Sequence, residues 1–387
     1  MDTQKLDQTY IANTYARFPV TIVKGKGSLV WDDTGKEYID LSTGIAVDIF
    51  GVADEEWMAA VTKQLGTLQH ISNLYYTEPC VKLAQMLCEK TGMKKVFFGN
   101  SGAEANECAI KAARKWSEEK KGKDYSTIIT LKNSFHGRTI TTLAATGQDV
   151  FHHDFTPLTE GFVYAEPNDL ADLEQLIKAN KCAAVMMEVV QGEGGVMPLD
   201  EAYVKGAAKL CEQYDLLLIC DEVQVGNGRS GKLYGYMHYG VQPNIVSTAK
   251  GLAGGLPLGA TLLGEKVQDV LSAGTHGSTF GGNPVCCAGA INVLSRLDEK
   301  MLEGVEERSA YIKQELAGAK GVLGVSGLGL MLGIQTEKNA SDIIAACREK
   351  GVLVIKAKDK LRLLPALNIP MEQLQKAVAV IKACCAE

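Results

Sequence analysis

Three features of this 387-residue chain combine residue types and spacing that can do chemistry. The first is Lys250, which closes the run NIVSTAK and precedes the glycine-rich GLAGGLPLGA. Between Ser230 and Gly264 the only formal charges are Lys232 and Lys250. In such weakly polar surroundings a lysine amine holds its proton less firmly and becomes a nucleophile suited to Schiff-base formation. The plainer alternative is a solvated loop lysine, the usual state of that residue type. The second feature is Asp221, which ends LLLICD, the most hydrophobic run of the chain. A carboxylate there is either a buried structural group or the partner of a cation. The third is Ser101-Gly102-Ala103, which opens a helical pattern soon after the strand-like KKVFF (94–98). The free N–H groups at a helix start can hold a phosphate. Ser101, with Glu104 three residues on, also makes an ordinary helix cap.

These groups need a frame that brings them together. Strand-like runs alternate with helix-like runs through the middle of the chain. After KKVFF come a helix over 101–116, STIITL (126–131), a helix over 137–147 closed by Gly147, and CAAVMMEVV (182–190). A helix over 202–214 follows, then LLLICDEV (216–223), NIVSTAK (244–250) and ATLLG (260–264). This alternation predicts an α/β domain on a mostly parallel sheet. Open α/β sheets bind ligands at the carboxyl ends of their strands, where Asp221 and Lys250 both fall.

The pattern changes beyond about Asn283. A long helix from Val285 leads into two strands in GVLGVSGLGLMLGIQ, a helix in SDIIAACREKG, strands in VLVIKA and LRLLP, and a closing helix in MEQLQKAVAVIKACC. That is a smaller α+β unit. The N-terminal VTIVKGKGSLVWDDTGKEYIDL predicts a β-hairpin with a DTG turn. The expected organisation is an N-terminal segment (1–50) joined to the small domain, a large ligand-binding domain (51–283) and a C-terminal small domain (284–387).

Composition narrows the function. Hydrophobic residues make up 46% and charged residues 22%, as in ordinary globular proteins. Lys plus Arg number 40 against 46 Asp plus Glu, a net charge of -6 that argues against a large nucleic-acid surface. Eleven cysteines, an odd count with no CxxC pair, point to buried thiols in a reducing cytoplasm rather than a disulfide framework. The segment MDTQKLDQTYIANTY lacks the apolar core of a secretion signal. The longest charge-free stretch, 270–295, carries His276, Asn283, Pro284 and many glycines, and is not expected to span a bilayer.

Some motifs mislead. GNGRSG (226–231) fits a dinucleotide-binding pattern, but no helix start follows and no acidic residue lies between Glu222 and Glu265. His152-His153 lacks the spaced partners of a metal site. EEKKGKD (118–124) reads as a solvated helix end and Cys286-Cys287 as packing. His136 is open between a pocket residue and a packed turn histidine.

A phosphate cradle, a carboxylate and a Schiff-base lysine, in that chain order, are the parts pyridoxal phosphate requires. With NSGAEANE, SFHGRT, QGEGG, DEVQ followed by GRSGK, AKGLAGGLPLGA and HGSTFGGNP in order and spacing, the chain resembles the class III pyridoxal-phosphate aminotransferases of fold type I. Within them it is similar to the N-acetylornithine aminotransferase family over nearly its whole length. The resemblance implies Lys250 as the lysine linked to pyridoxal 5'-phosphate and Asp221 as the partner of its ring nitrogen. It implies Gln224 at the ring hydroxyl, Phe135 stacked on the ring, and the backbone of Gly102 and Ala103 at the phosphate, with Glu222 and Val223 completing the cofactor set. Thr279 reaches the phosphate from the neighbouring subunit, which implies a homodimer with shared active sites. Arg138 becomes the clamp for the distal carboxylate of acetylornithine, with Ser278 near it. Arg362 clamps the α-carboxylate of glutamate, Glu193 is its temporary partner, and Tyr15 is a further substrate contact.

The chain departs from the family pattern at four places. GVADEE, with Val52, replaces a GHxxP-like run, Val189 and Ala366 stand where proline is usual, and Ser326 stands where arginine is usual. The expected activity moves the δ-amino group of N2-acetylornithine to 2-oxoglutarate. The products are N-acetylglutamate 5-semialdehyde and glutamate, a step of arginine synthesis in the cytoplasm, with no metal, nucleic acid or membrane involved. Ornithine, succinylornithine and 4-aminobutyrate are the alternative donors. A pyridoxal-phosphate isomerase is the alternative from another class.

Overall fold

The computed structural model describes residues 2–387. At its centre is a seven-stranded sheet in the spatial order Lys95–Gly99, Gly259–Leu263, Ile245–Thr248, Leu217–Asp221, Cys182–Met187, Thr127–Leu131 and Phe162–Ala165. Neighbours pair in parallel except at Gly259–Leu263, which runs antiparallel to both of its neighbours. The chain that leads into that strand holds only the short turn Lys250–Ala253, too little for the crossover a parallel return needs. Every residue of Cys182–Met187, Leu217–Asp221 and Ile245–Thr248 is buried. That two-sided burial is why these strands read as unbroken apolar runs.

Helix Gly102–Lys121 crosses one face of the sheet. The Ser101 hydroxyl caps it by accepting the Glu104 N–H, and the Glu104 carboxylate accepts the Asn100 N–H at 2.7 Å. Ala105, Ala109, Ala112 and Ala113 are fully buried, small enough to bring the helix close to the strands.

The C-terminal strands Val322–Leu328, Met331–Thr336, Lys360–Leu363 and Ile355–Ala357 form an antiparallel sheet. The N-terminal stretch forms three strands rather than a lone hairpin: Ile22–Lys26, Leu29–Asp32 and Glu37–Asp40. Its turn is fixed by Asp32, whose Oδ1 accepts the N–H groups of Thr34 and Lys36, with Gly35 at φ +86°. Glu37–Asp40 pairs in parallel with Val352–Leu353, so the two ends of the chain share one sheet.

Three elements differ from expectation. The helix over 137–147 shortens to Ile140–Ala145, and Gly147 does not cap it. Gly147 instead bridges Lys132, where any Cβ would meet the Leu131 carbonyl oxygen. The strand over 182–190 stops at Met187, and Val190–Gln191 pairs separately with Met197–Pro198. The helix that follows Asn283, Pro284–Arg296, packs on Glu55–Leu65 and Glu78–Thr91, so it leans on the larger unit. All eleven cysteines are free, and among the described residues no helix is long and apolar enough to cross a membrane.

Candidate active site

A cavity of about 150 Å³ lies at the carboxyl ends of the central strands, lined by Gly102, Ala103, Phe135, His136, Asp221, Val223, Gln224 and Lys250 among others. Asp221 ends its strand and is held from three sides. Its Oδ2 accepts the Asn106 side-chain N–H at 2.7 Å and faces His136 Nδ1 at 2.8 Å, and its Oδ1 accepts the Val223 N–H at 3.0 Å. Lys250 also lines the cavity, two residues past the strand Ile245–Thr248 and first in the turn Lys250–Ala253. Its φ of +47° is a left-handed conformation that non-glycine residues seldom adopt. Such outliers persist where their surroundings hold them and cluster at functional sites. The surroundings here include Asn227, whose side-chain N–H groups reach Thr248 Oγ1 and the Ala249 carbonyl at 3.0 Å. Burial pushes the Lys250 amine below its ordinary pKa, against the pull of Asp221, Glu193 and Glu188.

The third wall is the start of helix Gly102–Lys121. A Cβ on Gly102 would stand 2.6 Å from Val223 Cγ1, so only glycine lets the helix end close on this strand end. Gly102 and Ala103 line the cavity, and their N–H groups come before Ala105, the first intrahelical donor, so the helix gives them no acceptor.

Two arginines flank the site in opposite states. Arg362 is 3% exposed in its side chain and tied to the protein through both terminal nitrogens, while its buried Nε has no partner among the described residues. Its Nη1 donates to Glu193 Oε1 at 2.5 Å and to Gln224 Oε1 at 3.0 Å, and its Nη2 to the Lys356 carbonyl at 3.3 Å. Burial works against the Glu193 carboxylate, yet Arg362 outweighs it and holds that carboxyl below the usual range. Gln224 joins this pair to the cavity. Arg138 is exposed and lies over the faces of Phe135 and Phe151, with Cζ 5.4 and 4.5 Å from the ring centroids.

Not every expected residue meets here. Glu222 is fully buried and turned away, as the alternation along a strand end requires after Asp221. Its carboxylate accepts the N–H groups of Gly235 and Tyr236 at 2.7 and 2.8 Å, so its side chain serves the turn Gly235–Tyr239 and not the cavity. Ser278 stands just outside, its Oγ accepting from Asn100 Nδ2 at 3.1 Å. Thr279 is exposed on the 272–283 loop, and Tyr15 is exposed in the N-terminal segment beside Arg17, neither of them lining this cavity.

Two residues beyond the expected set join the cavity wall. Asn106 is one helical turn beyond Gly102, a spacing that already placed it on the same face. Glu188 follows an apolar run as Asp221 does, a signal open to sequence reading. Its carboxylate accepts the N–H groups of Phe135 and Gly192 at 2.8 and 3.2 Å, and burial pushes it up to about 7, with His136 opposing and Asp221 adding. His136, open on sequence, is a pocket residue. GNGRSG is a run of turns whose buried Arg229 donates to the Leu330 and Pro365 carbonyls, which explains the motif without a dinucleotide. His152 Nε2 donates to the Leu143 and Thr146 carbonyls, and no metal-binding cluster exists among the described residues.

The family model described as Aminotransferase class-III matches residues 10–385. The chain belongs to the class-III aminotransferases. An acetylornithine aminotransferase of Haemophilus ducreyi is 49% identical over 99% of this chain and 98% of its own length. Among solved structures, the ornithine aminotransferase of Toxoplasma gondii superposes with a TM-score of 0.95 at 33% identity, covering 99% of this chain and 94% of that one. The N-acetylornithine aminotransferase of Stenotrophomonas maltophilia superposes at 0.86 with 36% identity, covering 99% of this chain and 98% of that one.

The departures from the class-III aminotransferase pattern fall in packing positions. Val189 and Ala366 are fully buried, and Val52 bridges Gly27. Ser326 donates to the Val196 carbonyl at 2.8 Å and accepts from Lys360 Nζ at 3.0 Å.

Proposed function

We propose that this class-III aminotransferase moves the δ-amino group of N2-acetylornithine to 2-oxoglutarate on pyridoxal phosphate, releasing N-acetylglutamate 5-semialdehyde and glutamate. The observation that carries the reading is the pairing of a free arginine and a masked one around a single lysine–aspartate cavity. The cavity fits the cofactor. Gly102 leaves the helix end open to a phosphate, Asp221 keeps a lone pair for a ring N–H, and the buried Nε2 of His136 and Oδ1 of Asn106 have no protein partner among the described residues. When bound, pyridoxal phosphate supplies an aldehyde that takes up the amino group and a protonated ring that accepts an electron pair.

The protein's own groups do the rest. Lys250, its amine made less basic by burial, would hold the cofactor through its amine and, once released, would carry a proton to or from the substrate carbon. Asp221 would hold the ring nitrogen in its protonated form. Phe135, fixed by the bond from its N–H to Glu188, would lie against the ring, with Val223 and Gln224 beside it. Arg138 offers its unpaired edge to the α-carboxylate of acetylornithine, beyond the reacting methylene, with Ser278 nearby. During that half-reaction Arg362 rests on Glu193. With glutamate, the substrate α-carboxylate takes Arg362 and Glu193 swings away.

Thr279 and Tyr15, exposed and absent from the lining of their own cavity, serve a second copy in a homodimer. The 278–281 loop supports this, because Asn73 ties it to the 71–76 loop, where Leu74, Tyr75 and Tyr76 are exposed. With Phe280 they make an apolar surface of the kind that marks a subunit contact. The eleven free thiols accord with a reducing cytoplasm.

A donor panel with 2-oxoglutarate tests the reading. Acetylornithine should exceed ornithine, succinylornithine and 4-aminobutyrate in kcat/KM, and each turnover should release one glutamate. Conversion of a donor without any amino acceptor would instead establish an isomerase.

A further inference from the structure

Arg138 is held in an unusual way for a residue assigned to bind a carboxylate. Among the described residues its guanidinium donates no hydrogen bond and makes no ion pair to the protein. Two aromatic faces are its visible support: Phe151 at 4.5 Å and Phe135 at 5.4 Å from centroid to Cζ. Those two rings stand edge to face, 5.7 Å apart and inclined by 74°, and form a corner in which the guanidinium sits. A ring face attracts a guanidinium through its quadrupole and leaves the planar N–H edge untouched. That edge is the part a carboxylate grips with two parallel bonds.

Phe151 is brought to Arg138 by a built turn. It lies in the short turn Asp149–Phe151, closed by its N–H to the Gln148 carbonyl at 3.0 Å. The Gln148 side chain donates to the Ser134 carbonyl at 3.0 Å, next to Phe135. On the far side, His152 Nε2 lies 3.1 and 2.7 Å from the carbonyls of Leu143 and Thr146, at the end of the helix that Arg138 precedes. The chain from Arg138 to His152 therefore folds back and returns an aromatic ring to the arginine that began it.

We infer that Phe151 is a positioning residue for donor selection: its ring fixes the Arg138 guanidinium, without competing for its hydrogen bonds, so that the N–H edge meets the distal carboxylate of the amino donor. The inference rests on the donor assignment proposed above. An acidic partner at this place would fix the arginine equally well but would have to be displaced by each donor, as Glu193 must be from Arg362. An aromatic corner gives order with no competing anion.

The test uses the dimeric holoenzyme and N2-acetylnorvaline, which keeps the carboxylate and chain of the donor but has no amine to react. Calorimetry reads its Kd, and kinetics read acetylornithine against an unbranched alkyl diamine that has no carboxylate. Phe151→Leu should weaken the probe about 3- to 30-fold, the range of a cation–π contact partly shielded from water. It should raise KM for acetylornithine by a similar factor, with kcat little changed and the diamine unaffected. Phe151→Trp, which keeps a ring face, should restore binding. In an Arg138→Ala background, Phe151→Leu should add nothing, as expected when one residue acts only through the other. Wild-type affinity in Phe151→Leu, or an undiminished effect in the Arg138→Ala background, overturns this inference alone. A wild-type enzyme that neither binds the probe nor uses acetylornithine overturns both this inference and the donor assignment.

Discussion

Asp221 receives donors from a helix side chain, a loop histidine and its own turn, and each is positioned by a different element. Three acceptor contacts on one buried carboxylate keep it in place and ready to balance a positive ring nitrogen. Asp221→Ala should retain the cofactor but lose turnover by about 100-fold or more, because breaking one side of a buried carboxylate–cation pair costs about 3–5 kcal/mol. Single-turnover absorbance of the loaded variant reads this, and near-normal rates would leave Asp221 a purely structural role. Glu193 acts on the other side of the site, through its bond to Arg362. Glu193→Gln keeps the shape and removes the charge, so Arg362 is released more readily. The glutamate half-reaction should then gain on the acetylornithine half-reaction, by about 3- to 10-fold in the ratio of rates, a modest part of what a charge-assisted contact is worth. Equal changes in both half-reactions would contradict a gate.

The elements show what a periodic pattern carries and what it does not. Strands ending at Asp221 and just before Lys250 are legible because an unbroken apolar run stops at a charged residue or a glycine-rich turn. Helix Gly102–Lys121 is legible from Ser101 and Glu104: the structure returns the bond from the Glu104 N–H to Ser101 Oγ, while the Glu104 carboxylate takes the N–H of Asn100, one residue before the cap. Glu188 carries the same signature as Asp221, yet it merges with VVQ into one longer apparent strand, because apolar residues on both sides mask the break. The Phe151–Arg138 contact is not legible at all. It depends on Gln148 and His152 reaching backbone carbonyls, and a turn made by such bonds has no period. Gly147 looks like a helix end but is required by close backbone approach to Leu131, which spacing cannot express. The start of helix Gly102–Lys121 yields a prediction of its own. Gly102→Ala adds a Cβ that meets Val223 Cγ1 at 2.6 Å, so the helix end or the Asp221 strand end must move. Overpacking of this kind costs about 1–3 kcal/mol. Retention of pyridoxal phosphate, measured by fluorescence titration, should weaken about tenfold while circular dichroism stays that of the wild type. Unchanged retention would remove the helix start from the phosphate site.

At the scale of the whole molecule, we read the chain as two units, the N-terminal strands joining the smaller one through the pairing of Glu37–Asp40 with Val352–Leu353. We place the passage to the C-terminal unit after Arg296, since helix Pro284–Arg296 packs on the larger one. Arg229 and Arg362 both cross this seam, one to carbonyls and one to Glu193, so the position of the C-terminal sheet bears directly on the site. What the single chain lacks is a use for Thr279, exposed on its loop beside Phe280, Tyr75 and Tyr76, with Tyr76 99% exposed. If that loop completes the site of a second copy, a cavity takes Lys250 from one subunit and Thr279 from the other. Lys250→Ala removes the nucleophile, and Thr279→Glu sets a carboxylate where the phosphate would bind. Each variant alone should be inactive. When the two are unfolded together and refolded, about half of the dimers should be mixed by random pairing. In each mixed dimer one site joins the Lys250 of one chain to the Thr279 of the other and is intact. Activity should therefore return to about a quarter of wild type, since binding groups act wherever geometry lets two subunits share them. If Thr279 instead serves its own subunit, every site in every dimer keeps one lesion and no mixture recovers activity. A silent mixture, with sedimentation still showing dimers, would confine each active site to a single chain.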